Sequence, residues 1–231
     1  NAGGYDVFLI KYNSSGTKQW TKQFGTQKHD GGMLIELDSM GNFYITGYTY
    51  GAFDGNTNTG DSDLFLMKFN SSWILQWTIQ LGSSLADHVW GLDIDNSDNI
   101  YIAGATSGNF DGNTHAGNSD IFLVKYNTSG NKQWSKQLGT SGVEEEYGVI
   151  TDSSGNIYLT GNTTGGLDGN TLAGDHDAFL VKYNSSGTKQ WTKQFGTSAS
   201  DAGIDLTIGP DGYIYITGFT NGSFDNNTNA G

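Results

Sequence analysis

Loops rich in aspartate and asparagine are the part of this chain whose residue types and spacing fit metal binding. The first runs D-G-N-T-N-T-G-D-S-D from Asp54 to Asp63, and related loops begin at Asp111, Asp168 and Asp225. Hard cations such as Ca²⁺ take roughly six to eight oxygen ligands from carboxylates, amides and carbonyls. The predicted calcium ligands occupy three equivalent positions in three of these loops: Asp54, Asn56 and Asp61; Asp111, Asn113 and Asn118; Asp168, Asn170 and Asp175.

The same loops have a second interpretation that needs no metal. Aspartate and asparagine side chains bond to the backbone two residues on, and glycine supplies a positive φ in a tight connection. The similarity to an EF-hand loop is partial, because the terminal glutamate is missing and Leu172 stands where a ligand is needed. Calcium binding and turn chemistry therefore remain alternatives.

Short N-S-S or N-T-S segments recur at a second kind of turn. They match the acceptor pattern for N-glycosylation, which requires an accessible loop. Asparagine and serine are also the ordinary residues of turns, so turn chemistry alone is the alternative. The candidate glycosylation sites are Asn13, Asn70, Asn127 and Asn184.

Catalytic residues are hard to find in this sequence. The four histidines, at 29, 88, 115 and 176, fall at four different positions of the repeat. An acidic residue recurs in every repeat at Asp30, Asp87, Glu144 and Asp201, which a glycosidase could use in pairs. A residue present in every copy is better explained by a repeated structural hydrogen bond or salt bridge, for which the suggested partners are the repeated lysines Lys11, Lys68, Lys125 and Lys182. We therefore expect no catalytic site and no enzyme.

The sequence is a repeat with a fixed period. Asp6, Asp63, Asp120 and Asp177 each open a D-x-F-L-x-K segment, and the interval from Asp6 to Asp63 is 57 residues. Each repeat has four short runs rich in Val, Ile, Tyr, Phe and Thr, bounded by Gly, Asn, Asp and Ser, which predicts four strands. In the first repeat the predicted strands are Asp6 to Tyr12, Thr17 to Phe24, Met33 to Leu37 and Phe43 to Thr46.

Four strands per repeat, with glycines and aromatics at fixed positions, predict an all-β chain in which each repeat is one antiparallel blade of a β-propeller. The order D-x-F-L-V-K-Y-N-x-S-G-x-K-Q-W, then D-S-S-G-N-I-Y-L-T-G, then D-G-N-T-x-A-G resembles the bacterial and archaeal seven-bladed β-propeller repeat family. The resemblance covers all four copies. It implies a propeller fold in a large secreted or surface protein, and it supplies no catalytic residues.

The predicted organisation is one repeat domain over residues 1–231, with repeats at 6–62, 63–119, 120–176 and 177–231. The chain then begins with two outer strands and ends with two inner strands, and these halves could form one composite blade. A four-bladed ring, two chains forming eight blades, and a segment of a longer array are the alternatives. Unpaired blade edges predict self-association if the halves do not meet.

Composition favours an extracellular or cell-surface protein. The chain has no cysteine, and its formal net charge of −13 with no basic stripe argues against binding nucleic acid. No apolar run approaches the ~20 residues of a transmembrane helix, so membrane insertion is not expected. We expect partners to be proteins or glycans at the cell surface.

Two departures from the repeat stand out. An apolar group replaces polar residues on one outer hairpin and predicts a protein contact surface. The segment 143–146 (V-E-E-E) adds acid to the third repeat, and we expect it to be a solvated charge run. The predicted binding residues of the apolar group are Trp73, Ile74, Leu75 and Ile79.

The expected function is that of a non-catalytic structural or protein-binding module, with many similar loops giving multivalent attachment. The alternative is a carbohydrate-binding lectin that uses exposed aromatic residues such as Tyr48, Tyr50 or Phe219. A hydrolase is the least favoured class.

Overall fold

The computed structural model describes residues 3–225, 227 and 229. These residues form strands joined by turns, with two short 3₁₀ segments at Phe110–Gly112 and Leu167–Gly169. Among them, no helix has both the length and the apolar character that crossing a bilayer requires. The strands are β1 (Val7–Tyr12), β2 (Lys18–Phe24), β3 (Asp30–Leu37), β4 (Phe43–Thr49), β5 (Asp63–Phe69), β6 (Leu75–Leu81), β7 (Asp87–Ile94), β8 (Ile100–Thr106), β9 (Asp120–Tyr126), β10 (Lys132–Leu138), β11 (Glu144–Thr151), β12 (Ile157–Thr163), β13 (Asp177–Tyr183), β14 (Lys189–Phe195), β15 (Asp201–Ile208) and β16 (Ile214–Thr220).

Consecutive strands pair in antiparallel sheets. Three sheets have four strands: β3–β6 is blade 1, β7–β10 is blade 2 and β11–β14 is blade 3. Strands β1 and β2 form the N-terminal hairpin, and β15 and β16 form the C-terminal hairpin, each a two-stranded sheet. The prediction of an all-β chain of antiparallel four-stranded units is confirmed. The described residues hold three complete blades and two hairpins, however, rather than four complete blades.

Contacts divide the chain into two compact units, Asn1–Val89 and Trp90–Gly231. The first contains the N-terminal hairpin and blade 1, and the second contains blade 3 and the C-terminal hairpin. The division falls inside β7, the first strand of blade 2. The single domain and the composite blade stay predictions.

The middle strands of each blade are the most apolar and the most buried. In blade 3, Leu159 of β12 and Phe179 and Val181 of β13 are fully buried in one cluster. Leu167, which follows β12, lies in the same cluster. The outer strand β14 has only exposed and half-buried residues, as expected for a strand at the edge of a sheet with one face toward water.

An aspartate closes the turn between the first two strands of each blade. In blade 3, Asp152 Oδ1 accepts hydrogen bonds from the backbone N–H groups of Ser154 and Asn156, at 2.9 Å each. Its Oδ2 accepts a bond from the Tyr158 hydroxyl at 3.1 Å. Gly155 has a φ of +76° in this turn, a conformation that glycine adopts without strain. The D-x-x-G-N-x-Y motif of blades 1 and 3, which is D-N-S-D-N-I-Y in blade 2, is thus a structural turn.

The tryptophans at the repeated position have equivalent surroundings in the three complete blades. Each tryptophan ring packs against the tyrosine of the second strand of its own blade, with ring centroids 5.9 to 6.2 Å apart. The pairs are Trp77 with Tyr44, Trp134 with Tyr101, and Trp191 with Tyr158. Trp20 differs because its hairpin has no inner strands, and it packs against Trp73 at 4.5 Å.

Candidate functional site

The acidic residue that begins the inner strand of every repeat is structural. Asp30 accepts a hydrogen bond from the backbone N–H of Thr26 at 2.6 Å, and Asp87 and Asp201 make the same bond to the residue four positions earlier. Glu144 does so with Thr140 at 2.7 Å. All four acids are buried. They hold the loop that leads from one blade to the next, which explains their recurrence.

Three of the histidines also make local contacts. His29 Nδ1 accepts a bond from the backbone N–H of Tyr5 at 3.1 Å. His115 Nδ1 lies 3.3 Å from Asp120 Oδ2, and His176 Nδ1 lies 3.5 Å from the Ser200 hydroxyl. These contacts are spread over separate repeats, so they assemble no catalytic group. The absence of enzyme activity stays a prediction.

The aspartates of the D-G-N loops sit in strained turns and bind outer strands. Asp54, Asp111 and Asp168 have φ between 46° and 54°, in the left-handed region. In blade 2 the carboxylate of Asp111 pairs with Lys132, and in blade 3 that of Asp168 pairs with Lys189. Each lysine is the first residue of the outermost strand. The pairs therefore attach the loop to the edge of its own blade.

The asparagines of these loops turn their amide groups inward. Nδ2 of Asn56, Asn113 and Asn170 donates to the carbonyl of the residue three positions earlier, at 2.6–2.9 Å. The third predicted ligand of each loop takes no part in this amide bond, and in the first loop it is the exposed Asp61. Within residues 3–225, 227 and 229 there is no group of three or more His, Cys, Asp or Glu that could hold a metal ion. Calcium binding by the loops stays a prediction.

Blade 1 differs from the other blades at the lysine position. Leu75 stands where Lys132 and Lys189 stand in their repeats, so β6 offers no ammonium to Asp54. Asp54 does accept a hydrogen bond from the Thr78 hydroxyl at 2.5 Å, which is the equivalent of the bond from Thr192 to Asp168 in blade 3. The acidic loop is kept, and its intramolecular cation is replaced by an apolar side chain.

A cavity of about 450 Å³ lies next to this altered pair. Phe24 of the N-terminal hairpin and Phe53, Met67 and Leu75 of blade 1 form its apolar walls, and Asp6 and Asp54 supply carboxylates. Phe53 and Met67 are buried in the local core, so this wall is firmly held. The lining is thus mixed, with apolar side chains next to two carboxylates and the polar side chains of Gln23 and Thr26. Sequence comparison of the repeats gives one signal for it, the leucine in a lysine position.

The predicted contact surface around this leucine is only partly exposed. Trp73 stacks on Phe43 at 3.6 Å, and its carbonyl accepts a bond from Lys22 Nζ at 2.5 Å. Ile74 is 60% exposed, whereas Ile79 is half-buried. Trp73 therefore serves packing within the first unit, and Ile74 and Leu75 are the members that face outward.

The candidate glycosylation asparagines form Asx turns. Oδ1 of Asn13 accepts bonds from the backbone N–H groups of Ser15 and Thr17, at 3.1 and 2.8 Å. Asn70, Asn127 and Asn184 make the same pair of bonds in their own hairpins. The geometry gives these residues a structural role, and their glycosylation stays a prediction.

The acidic run of the third repeat is not a solvated loop, so that prediction was wrong. Glu144 and Glu146 begin β11 and are fully buried. Both carboxyl oxygens of Glu146 lack a hydrogen-bond partner, and burial raises its pKa well above the ordinary value. The residue equivalent to Glu146 is Gly32, Val89 or Gly203 in the other repeats. These small or apolar residues are the sequence signal that the position is buried.

Next to it, Glu145 is bound by polar side chains. The Tyr147 hydroxyl donates to Glu145, and Asn162 Nδ2 lies 3.2 Å from that hydroxyl. Burial, with the bond to the Glu145 carboxylate, raises the pKa of Tyr147 to about 12. This cluster is the clearest departure from repeat symmetry on the inner strands.

The two hairpins expose strands that are interior elsewhere. Phe8 and Tyr12 of β1 are 69% and 56% exposed, and Tyr215 and Phe219 of β16 are 53% and 54% exposed. In the blades, the corresponding strands pair with each other as second and third strands. Among residues 3–225, 227 and 229, therefore, no second strand pairs with β1 and no third strand pairs with β16.

Comparisons with known proteins agree with this architecture. A family model described as "Beta-propeller repeat" (SBBP) matches residues 76–111, 133–168 and 190–225. The "Uncharacterized WD repeat-containing protein L264" of Acanthamoeba polyphaga mimivirus is 23% identical over 260 residues, covering 87% of this chain and 19% of that protein. "Regulatory protein FlaEY" of Caulobacter vibrioides is 26% identical over 158 residues, covering 62% of this chain and 16% of that protein. The chain therefore spans less than a fifth of either relative.

Among solved structures, a protein of unknown function from Bacteroides caccae has a TM-score of 0.52 at 8% identity, covering 92% of this chain and 65% of that chain. XC5397 from Xanthomonas campestris, described as a gluconolactonase, has a TM-score of 0.50 at 10% identity, covering 90% of this chain and 61% of that chain. At these identities the likeness concerns the fold alone. Because three matches to one β-propeller repeat model recur along a chain of antiparallel strands, the chain is a β-propeller repeat protein.

Proposed function

We propose that this chain is a non-catalytic binding module that assembles by adding strands across its two open sheet edges. The observation that supports the proposal is the complementarity of β1 and β16. One is a third strand without a second, and the other is a second strand without a third. The proposed partner is a second copy of this chain, whose β1 pairs with β16 of the first copy. Unpaired strand edges are templates for such pairing.

The register of the added strand follows from the complete blades. In blade 3, β12 pairs with β13 so that Leu159 faces Val181, and in blade 1 Ile45 faces Met67 at the same position. Transferred by one repeat, this register places Ile216 opposite Ile10. A slip by one residue would turn every side chain of the strand to the wrong face.

Side-chain contacts of the blades would be completed in the same register. Lys182 Nζ lies 5.2 Å from the centre of the Tyr158 ring, and Lys125 stands 5.1 Å from Tyr101. The corresponding residues at the open edges are Lys11 and Tyr215, both exposed. Pairing would place Lys11 over Tyr215 and cover Phe8, which adds cation–π attraction and apolar burial to the backbone bonds.

Composition supports an extracellular or cell-surface setting for this module. The chain lacks cysteine, carries a formal net charge of −13 and is rich in turn residues. Assembly by strand addition would place many similar loops side by side. Weak binding sites on these loops would then bind a target more tightly together than singly, because the effective concentration is high. Proteins or glycans of the surface are the proposed targets.

Engineered disulfides test the assembly because the natural chain has no cysteine. Ile10→Cys and Ile216→Cys, made as separate variants and mixed under oxidising conditions, should give a covalent species of twice the 24.8 kDa chain mass on a non-reducing gel. Paired antiparallel positions lie within the Cα separation that a disulfide tolerates. Light scattering of the natural chain should show mass rising with concentration.

The matched control mixes Lys11→Cys with Ile216→Cys, which shifts the register by one residue and should give little product. A double Ile10→Cys, Ile216→Cys chain that links only within itself would contradict pairing with a second copy and indicate self-closure. Absence of any linkage, together with a concentration-independent monomer, would contradict strand addition altogether.

A further inference from the structure

We propose that the cavity beside Asp54 binds a primary alkylammonium group, the chemistry of a lysine side chain supplied by a partner. The proposal concerns a site inside the first compact unit and is independent of the strand pairing above. It starts from a difference between repeats that otherwise share their loop geometry.

The other blades show what the Asp54 carboxylate is shaped to accept. Asp168 has a φ of 54° and accepts bonds from the Lys189 ammonium and the Thr192 hydroxyl. Asp54 has a φ of 46° and accepts the equivalent hydroxyl bond from Thr78 at 2.5 Å. The repeat thus keeps the carboxylate and the hydroxyl in place but supplies leucine instead of the lysine. The missing group is an ammonium.

The space beside Asp54 is suited to the stem that would carry this ammonium. The cavity measures about 450 Å³, within the rough range of 300–1,000 Å³ found for ligand pockets. Phe24, Met67 and Leu75 line it with apolar atoms. A lysine stem of four methylenes buries well along such walls while its charged end stays near a carboxylate and water.

A second carboxylate at the cavity reinforces the preference for a cation. Asp6 lines the cavity, and its Oδ2 accepts a hydrogen bond from Gln23 Nε2 at 2.6 Å. Lys22, which precedes Gln23 in β2, donates a hydrogen bond to the Trp73 carbonyl. The net charge of −13 adds a long-range attraction for cationic ligands. These carboxylates favour a cationic ligand, because they would repel an anionic one, and a purely apolar one would displace water from them without supplying a counter-charge.

Binding of a small probe tests the proposal on the natural chain. N-acetyl-lysine amide, titrated at low ionic strength and followed by amide NMR shifts, should perturb the segments around residues 24–26 and 52–55. N-acetyl-norleucine amide, which has the apolar stem but no ammonium, should bind several-fold more weakly. Asp54→Asn should weaken lysine binding about threefold to fivefold, the range expected for an ion pair that stays partly in water.

Three variants provide matched controls. Leu75→Lys restores the residue that the other repeats carry and should abolish probe binding by supplying the ammonium internally. Leu75→Met keeps an apolar wall and should retain binding, which separates the charge from the fold. Asp61→Asn removes an exposed carboxylate of the same loop without touching the cavity lining. It should leave the affinity unchanged.

Equal affinity for the lysine and norleucine probes would overturn the proposal, as would an Asp54→Asn variant that binds within experimental error of the natural chain. Probe shifts that fail to map to the cavity would do the same. If Leu75→Lys does not fold, the Asp54→Asn and norleucine results still decide the question.

Discussion

The second strand of blade 3, β12, and the corresponding strand of the C-terminal hairpin, β16, have nearly the same sequence but different neighbours. The segment I-Y-L-T-G of β12 becomes I-Y-I-T-G in β16. Tyr158 is 6% exposed and Tyr215 is 53% exposed, although each donates its hydroxyl to the aspartate of the preceding turn. The turn is therefore formed locally, whereas the burial of the strand depends on the neighbouring third strand.

This difference separates the contacts that form within one repeat from those that need the next repeat. Asp152 and Asp211 each accept bonds within their own turns, and these bonds hold the pKa of both carboxyls below the ordinary value, against the opposing effect of burial. Lys182, by contrast, reaches Tyr158 from β13, and the hairpin has no such strand. A repeat thus specifies its turns alone and its core only together with the next repeat.

The largest expected effect comes from truncating the two equivalent tyrosines. Tyr158→Ala should lower the free energy of unfolding by about 3–5 kcal/mol, because it empties a buried site. Tyr215→Ala should cost less than about 1 kcal/mol in a monomer, because the side chain already faces water. Chemical denaturation at low protein concentration measures both.

The same two variants also test whether β16 is exposed in solution. If Tyr215→Ala is as costly as Tyr158→Ala, β16 must be covered in solution. A cost that grows with protein concentration would identify the cover as another copy of the chain, in line with the proposed strand addition.

The sequence predicted the periodic part of this structure well. The four strands predicted in the first repeat correspond to β1 to β4, with boundaries that differ by up to three residues. Period, alternation and turn residues are local properties, so one sequence suffices to find them. The acidic residue that recurs at Asp30 makes a structural hydrogen bond, as expected, but its donor is the backbone N–H of Thr26, where a repeated lysine was the suggested partner.

What the sequence did not reveal depends on packing between elements. Glu146 looked like part of a solvated run because three acids in a row are usually exposed. Its register on β11 places it inside instead. The cavity beside Asp54 has no motif of its own, since it arises from Leu75, Phe24 and Met67 meeting from three strands. Only the comparison of repeat positions could have drawn attention to either.

A smaller effect is expected from the inner strands, where Glu146 of β11 corresponds to Gly203 of β15. Burial keeps Glu146 protonated in the folded chain, since its pKa is raised. Above the ordinary glutamate pKa of about 4.3, the unfolded chain releases this proton and the folded chain keeps it. The folded state then binds more protons, so stability falls as pH rises until the raised folded pKa is reached.

Glu146→Gln should therefore melt higher than the natural chain at pH 7 and nearly equal to it at pH 4. Glu146→Val, which uses the residue found at this position in β7, should behave in the same direction. Asp93 has a raised pKa and Asp152 a lowered one, so the difference between variants, rather than either curve alone, reports on Glu146. Parallel stability curves from pH 4 to 8 would contradict a buried neutral carboxyl.

The smallest expected effect concerns calcium at the loop of blade 3, compared with the loop after the C-terminal hairpin. Asp168 already pairs with Lys189, whereas Asp225 is exposed and follows a hairpin without an outer strand. An added cation must displace the lysine at Asp168, so calcium should bind there weakly. At a concentration equal to Kd, binding to the folded state alone would add about 0.4 kcal/mol. Melting in millimolar Ca²⁺ against EDTA measures the gain, and Lys189→Met should enlarge it because the competing charge is gone. Identical melting of the natural chain and of Lys189→Met in both buffers would leave the D-G-N loops with turn chemistry alone.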